Sequence, residues 1–136
     1  MDISIVDLNE DEIEDIESRL EKYDTKNIGY KINDNINLGI KVNGKLIAGI
    51  NASMTAYKIL YVSTVFVDEE YRGNGLGKKL METLENRAIK AGVNMIRLDT
   101  FDWQGNGFYV KLGYELVGKY RNEIDNFSEY FFLKRI

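Results

Sequence analysis

The sequence contains no cysteine and no histidine. Their joint absence removes disulfides, thiol nucleophiles, histidine-based triads and zinc sites built from His and Cys. Any proton transfer has to use carboxylates, tyrosine, lysine, the backbone or water. No apolar run approaches the roughly 20 residues that a helix needs to cross a bilayer, so no membrane partner is expected. The start, Met1-Asp2-Ile3-Ser4, lacks the basic stretch followed by an apolar one that marks a secretory signal. Cytoplasmic residence is the default expectation. A basic surplus is missing too: 18 Lys and Arg stand against 22 Asp and Glu, a net charge of −4. That balance argues against a nucleic-acid-coating surface, and it suits a cationic amine partner without demanding one. There is no linker, low-complexity tract or internal repeat, and 136 residues suit a single domain over 1–136 with one core.

What is present is a regular alternation of short apolar segments. Ile3 to Asp7 alternates and predicts a first strand. Asn9 stands three residues before Glu12, the spacing of a capping box, and Ile13, Ile16, Leu20 and Tyr23 recur at helical intervals. Asp24 to Asn35 is polar and reads as a loop with room for a short helix. Ile36, Leu38, Ile40 and Val42 alternate, Asn43-Gly44 follows, and Leu46 to Ala52 resumes, which is the pattern of a tight hairpin. Leu60 to Val67 predicts a central strand and Leu76 to Ala91 a helix that buries Leu76, Leu80, Leu84 and Ala88 and stops at Gly92. Val93 to Thr100 reads as a strand, Gly107 to Leu112 as a short helix ending at Gly113, and Tyr114 to Gly118 and Tyr130 to Lys134 as closing strands. The fold class is α/β: a mixed, mostly antiparallel sheet flanked by helices, with one right-handed β-α-β crossover.

Between the central strand and the long helix lies Arg72-Gly73-Asn74-Gly75-Leu76-Gly77. Strand, glycine-rich turn and helix start in that order make an anion cradle, because glycines let amides approach a ligand and the helix directs its free N–H groups there. Arg72 adds a fork suited to phosphate oxygens. The pattern is not a P-loop, since Arg72 and Lys79 occupy the positions of its first glycine and its Ser or Thr. It is not a dinucleotide fingerprint either, since Lys78 or Leu80 falls where the third glycine belongs.

What remains, Arg-x-x-Gly-x-Gly over Arg72, Gly75 and Gly77 with the approach Val65 to Gly73, resembles the acyl-CoA loop of the GNAT superfamily of N-acetyltransferases. The order of elements matches that fold over nearly the whole chain. Many relatives carry a proline near Glu69, and this chain has none. The resemblance implies that acetyl-CoA is the co-substrate and a primary amine the acceptor, with no metal, and that a homodimer is the common assembly. Arg72, Gly73, Asn74, Gly75, Leu76, Gly77 and Lys78 would hold the pyrophosphate, mainly through backbone N–H groups. Val65, Phe66 and Val67 would receive the pantetheine arm as an added strand. An N–H near Phe66 or Val67 would polarise the thioester carbonyl.

A second segment, Phe108-Tyr109 with Gly113-Tyr114, resembles the family's Phe-Tyr-x-x-x-Gly-Phe/Tyr motif. By that resemblance Tyr109 protonates the departing thiolate, a role within reach of a phenol because a thiolate with a parent pKa near ~8.5 leaves readily. Two positions depart from the family pattern. Asp102 stands where many relatives have an Asn that contacts the coenzyme arm, and Gly105 where an alanine is common. Gln104 and Asn106 are the substitutes at hand, and Trp103 is read either as an acceptor-pocket wall or as a surface packing residue. The amine must lose a proton before it attacks, and Glu69, Glu70, Asp99, Asp102 and Glu123 are all candidates, none of which the sequence singles out. Asp68, Glu69 and Glu70 are expected to point away from the phosphates. The rival reading is a domain that binds acyl-CoA without turnover, for sensing or scaffolding.

Overall fold

A computed structural model describes residues 1–29, 32 and 35–136. The chain divides into two compact units, residues 1–31 and 32–136.

In the first unit, helix α1 (Glu10–Ile28) opens on the expected capping box. The Asn9 side chain accepts from the Glu12 amide at 2.9 Å, and the Glu12 carboxylate accepts from the Asn9 amide at 3.1 Å. The helix runs on through Asp24–Ile28, where the sequence reads as loop. Thr25 and Asn27 return their side-chain donors to carbonyls one turn back, and Gly29, at φ 78°, ends it. The rest of the expected loop includes residues 30, 31, 33 and 34, which lie outside the described residues. The strand expected at Ile3 to Asp7 is not formed. Strands exist through their ladders, and none of the ladders described here includes these residues.

The second unit is one six-stranded sheet in the order β1-β2-β3-β4-β6-β5. Its strands are β1 (Ile36–Val42), β2 (Lys45–Met54), β3 (Ile59–Val67), β4 (Met95–Phe101), β5 (Glu115–Asn122) and β6 (Phe127–Arg135). β1 and β2 turn on Asn43 and Gly44, both at positive φ (51° and 80°), the conformation of a two-residue hairpin. Among the described residues only β3 and β4 are parallel, and helix α2 (Leu76–Lys90) makes the crossover between them. Leu80, Met81, Leu84 and Ala88 form the buried stripe of α2, packed on β1, β2 and β3, while Leu76 is only partly buried.

Both later helices end in the same way. Past α2, the Val93 amide reaches Ala88 O at 2.9 Å and Gly92 takes φ 92°. Past α3 (Asn106–Lys111), the Tyr114 amide reaches Tyr109 O at 3.0 Å and Gly113 takes φ 89°. These are Schellman ends, which satisfy the last carbonyls and tuck the following residue inward. Val93 and Tyr114 are indeed buried. The sheet interior is Ile47, Ile50, Leu60, Ile96, Leu98 and Phe132 with the α2 stripe. Phe132, 2% exposed, also meets the Tyr109 ring at 6.0 Å between centroids. Phe132→Ala is expected to cost about 3–5 kcal/mol, read as a lower urea midpoint at unchanged slope.

Candidate active site

The site begins where two neighbouring strands part. β3 and β4 pair from Ile59↔Met95 to Val62↔Leu98 and no further, although β3 continues to Val67 and β4 to Phe101. The cause lies on the other side of β3. Against β2, Asn51 pairs with Thr64 and Ala52 with Val62, so Ser63 is an extra residue, held by its hydroxyl to Asn51 O at 3.1 Å. A bulge bends and twists its strand, and this one follows directly on the last residue β3 shares with β4.

Register tells which groups of β3 face the opening. The Asp68 amide donates to Ile47 O at 2.8 Å, which makes Ala48↔Val67 a non-hydrogen-bonded pair. Pairs alternate in an antiparallel ladder, so Phe66 is bonded to Gly49, while Val65 and Val67 turn their N–H and C=O away from β2. The two valines therefore offer main-chain groups to the opening, and Phe66 does not. Of the two amides expected to polarise a carbonyl, only that of Val67 is suitably turned, and Val65 joins it.

Beyond Val67 the chain makes a 3-10 turn, Glu69–Tyr71, and enters the glycine loop. Gly73 (φ 82°) and Gly75 (φ 73°) occupy the left-handed region that favours glycine, with open space around each. Gly75 precedes the helix, and the first intrahelical bond is Lys79 N to Gly75 O, 3.0 Å. Among the described residues the amides of Gly73 to Lys78 have no hydrogen-bond partner. Such a set of free donors at a helix start fits a diphosphate. Gly77 serves packing instead: a Cβ there would lie 3.2 Å from Phe108 Cζ, so the missing side chain lets α3 press against the start of α2.

Arg72 and Asn74 brace this loop. Arg72 Nε donates to Val67 O at 2.8 Å, and its guanidinium carbon lies 5.5 Å from the Phe66 ring centroid. Asn74 Nδ2 donates to Tyr71 O at 3.0 Å. Lys78 faces Glu82 at 3.9 Å, and both are exposed. Glu69 and Glu70 are exposed on the short turn.

On α3, Tyr109 is 9% exposed, packed against Phe108, Tyr114 and Phe132. Its hydroxyl has no partner among the described residues and is not sealed from solvent. Burial, with Asp99 adding to it, pushes its pKa up to about 12. Tyr109 is thus a neutral donor throughout the physiological range. Behind it Lys134 Nζ contacts Glu85 at 3.1 and 3.2 Å and Leu112 O at 2.9 Å, while the Tyr114 hydroxyl donates to Glu85 at 3.1 Å. This network joins α2, the end of α3 and β6.

The turn from β4 to α3 uses up the polar residues that the sequence leaves open. Gln104 Oε1 accepts from the Phe101 amide at 2.7 Å, and Asp102 Oδ2 accepts from the Ser128 amide at 3.0 Å. Trp103 stacks on Phe101, 5.7 Å between centroids and 11° between planes, yet remains 73% exposed. Asn106 opens α3, partly buried, with no hydrogen bond to its side chain among the described residues.

On the opposite face of β4 from Ile96, Leu98 and Thr100, the Tyr61 hydroxyl donates to Asp99 Oδ2 at 2.8 Å, and Arg97 stacks over Tyr61 at 4.4 Å. Tyr120 donates to Glu129 beside them. Tyr61 is not foreseen in the sequence: it lies 38 residues from Asp99, and only the Tyr61↔Arg97 register joins them.

The sequence model of the acetyltransferase (GNAT) family matches residues 4–114. An acetyltransferase from Bacillus cereus superposes with a TM-score of 0.90 at 28% identity, over 98% of each chain. An aminoglycoside 6'-N-acetyltransferase complexed with coenzyme A shares the fold, with a TM-score of 0.66 at 19% identity over 81% of this chain and 76% of that one. The L-ornithine N5-acetyltransferase NATA1 of Arabidopsis thaliana is 31% identical over 51% of this chain and 31% of its own length. The blasticidin-S acetyltransferase of Streptomyces morookaense is 35% identical over 52% of this chain and 53% of its own. The chain thus matches about a third to a half of the length of these curated relatives.

The raised Tyr109 pKa has a direction in stability. The folded state holds this proton more tightly than the unfolded chain, whose tyrosine titrates near 10.0. Its contribution is whole below pH 10 and is lost as pH rises through about 12, a change of about 2–3 kcal/mol. Tyr109→Phe is expected to remove this share of the alkaline loss. Urea melts of both proteins at pH 9 and about pH 11.5 measure it, and parallel losses would refute it.

Proposed function

Since the chain belongs to the acetyltransferase (GNAT) family, we propose that it transfers an acetyl group from acetyl-CoA to a primary amine by direct attack while both are bound. The observation that carries this reading is the succession of two sets of main-chain donors: the unpartnered amides of Gly73 to Lys78 and the outward-turned N–H groups of Val65 and Val67. A diphosphate suits the first set and the amides of a pantetheine arm suit the second, which add to β3 as a neighbouring strand would. Acetyl-CoA supplies an activated thioester, and the chain supplies position and dipoles.

In this reading the Val65 N–H, the further of the two from the glycine loop, is the donor for charge building on the thioester oxygen, and the Val67 N–H meets the pantetheine arm. Such preorganised donors are worth about 2.7–4 kcal/mol each in acyl-transfer enzymes. Tyr109 faces the departing sulfur as a donor that stays protonated at neutral pH. Arg72 acts chiefly through geometry: by holding Val67 O it fixes the angle between the end of β3 and the loop. Asn74 keeps its side chain on Tyr71 and Arg72 carbonyls, leaving its amide to the ligand. Asn106, unengaged at the start of α3, is the substitute for the family's Asn in this reading, because Asp102 and Gln104 are occupied. Named relatives act on ornithine and blasticidin S, which supports an amine-bearing small molecule as acceptor.

The test is release of free thiol from acetyl-CoA on adding amines, with calorimetric titration of acetyl-CoA alone. Binding with no amine-dependent release would favour the sensor reading over the enzyme. Tyr109→Phe is expected to lower kcat about 10²-fold and leave the acetyl-CoA Kd within about twofold. Equal turnover would remove Tyr109 from the chemistry. Arg72→Ala is expected to weaken acetyl-CoA binding about tenfold, the scale of one charge-assisted hydrogen bond. Unchanged affinity would count against the loop as the phosphate site.

A further inference from the structure

Five carboxylates are candidates for taking the acceptor's proton, and their surroundings separate them. Asp102 is bound to the Ser128 amide. Glu123 pairs with Arg121 at 3.4 Å on the β5–β6 turn, its side chain 82% exposed. Glu69 and Glu70 are exposed on the short turn after β3. Asp99 alone is partly buried and stands at the opening, directly after Leu98, the last β4 residue paired with β3. Its Oδ2 accepts from Tyr61, and its Oδ1 has no partner among the described residues.

Asp99 and Tyr109 approach the opening from opposite sides of the sheet. The Asp99 side chain lies on the face away from buried Leu98 and Thr100, whereas Tyr109 packs on Phe132, the register partner of Leu98. Where β3 and β4 no longer pair, the sheet does not separate the two faces, and the charge of Asp99 is felt at the Tyr109 hydroxyl. A thioester between them would meet the amine from one face and release its sulfur towards the other. Phe131 is the register partner of Asp99, and Tyr61 and Tyr120 flank it, so an ammonium arriving there meets a carboxylate among aromatic rings.

We propose that Asp99, positioned by Tyr61, receives the acceptor's ammonium group at this opening and takes up its proton. The inference rests on the transferase reading above. R–NH3+ gives one proton to Asp99, which passes it to solvent. The amine lone pair forms the C–N bond, the C–S bond breaks, and the second proton leaves nitrogen and ends on sulfur, to which Tyr109 donates a hydrogen bond. The groups facing Asp99 are Tyr61 on β3, Arg97 on β4, Tyr109 on α3, Tyr120 on β5 and Glu129 on β6.

The experiment compares the parent with Asp99→Asn and Tyr61→Phe, with 1,4-diaminobutane, L-ornithine and a lysine peptide as probes. At neutral pH, Asp99→Asn is expected to lower kcat about 10²–10⁴-fold, with melting temperature and acetyl-CoA Kd unchanged. The deficit should shrink as pH approaches about 10.4, where alkylamines deprotonate unaided. Tyr61→Phe should keep the parent's pH profile at reduced kcat. Unchanged kcat in Asp99→Asn, or a deficit equal at every pH, overturns the assignment while the transferase reading stands. A parent that binds acetyl-CoA and releases no thiol with any probe overturns both.

Discussion

The early end of the β3–β4 pairing is the constraint on which the rest of this fold turns. Parallel neighbours normally share evenly spaced bonds along their common length. Here they separate after Val62 and Leu98, and the lost pairing leaves an opening in the sheet. The Val65 N–H and C=O and the Val67 N–H are left without a strand partner, on a strand paired with β2 on its other side, while Val67 O accepts from Arg72. Unsatisfied backbone is costly in an interior, so the same opening that admits solvent creates a demand for a strand-like partner.

Two distant stretches of sequence meet around it as one mechanical unit. Phe108 rests where Gly77 has no side chain, so the start of α2 and the body of α3 cannot shift independently. Behind them, Glu85, Lys134, Tyr114 and the Leu112 carbonyl tie both helices to β6. Burial and Glu85 together push the Tyr114 pKa upward, so this hydroxyl remains a donor to Glu85. The ring of Tyr109 is thereby fixed from three sides while its hydroxyl stays reachable. A donor in a reaction needs that combination, because small displacements weaken alignment steeply.

The sequence discloses this arrangement unevenly. The Asn9–Glu12 box, the Asn43-Gly44 turn, the α2 stripe and the Gly92 and Gly113 stops are legible because each is decided by neighbours within a turn or two. The failures are of another kind. Ile3 to Asp7 alternates like a strand, but alternation is a capacity that only a paired ladder realises. Thr25 and Asn27 look like loop residues until their side chains are seen returning to the α1 backbone. In the site, the glycine loop is readable as a cradle, yet the role of Phe66 is not, since which amides face outward depends on the parity of a ladder. Asp99 is indistinguishable from four other carboxylates until register sets it beside Tyr61. Gln104 and Asp102 look available and are in fact consumed by the β4–α3 turn.

Ser63 carries a consequence of its own. It is supernumerary in the β2–β3 ladder: Val62 and Thr64 already face consecutive residues, Ala52 and Asn51. A chain lacking it would keep Thr64, Val65, Phe66 and Val67 opposite the same partners, with the same amides turned outward. It would lose only the bend, and with nothing to divert it β3 could zip onward along β4. One serine therefore decides whether this sheet has a seam or a slot, independently of which groups line it.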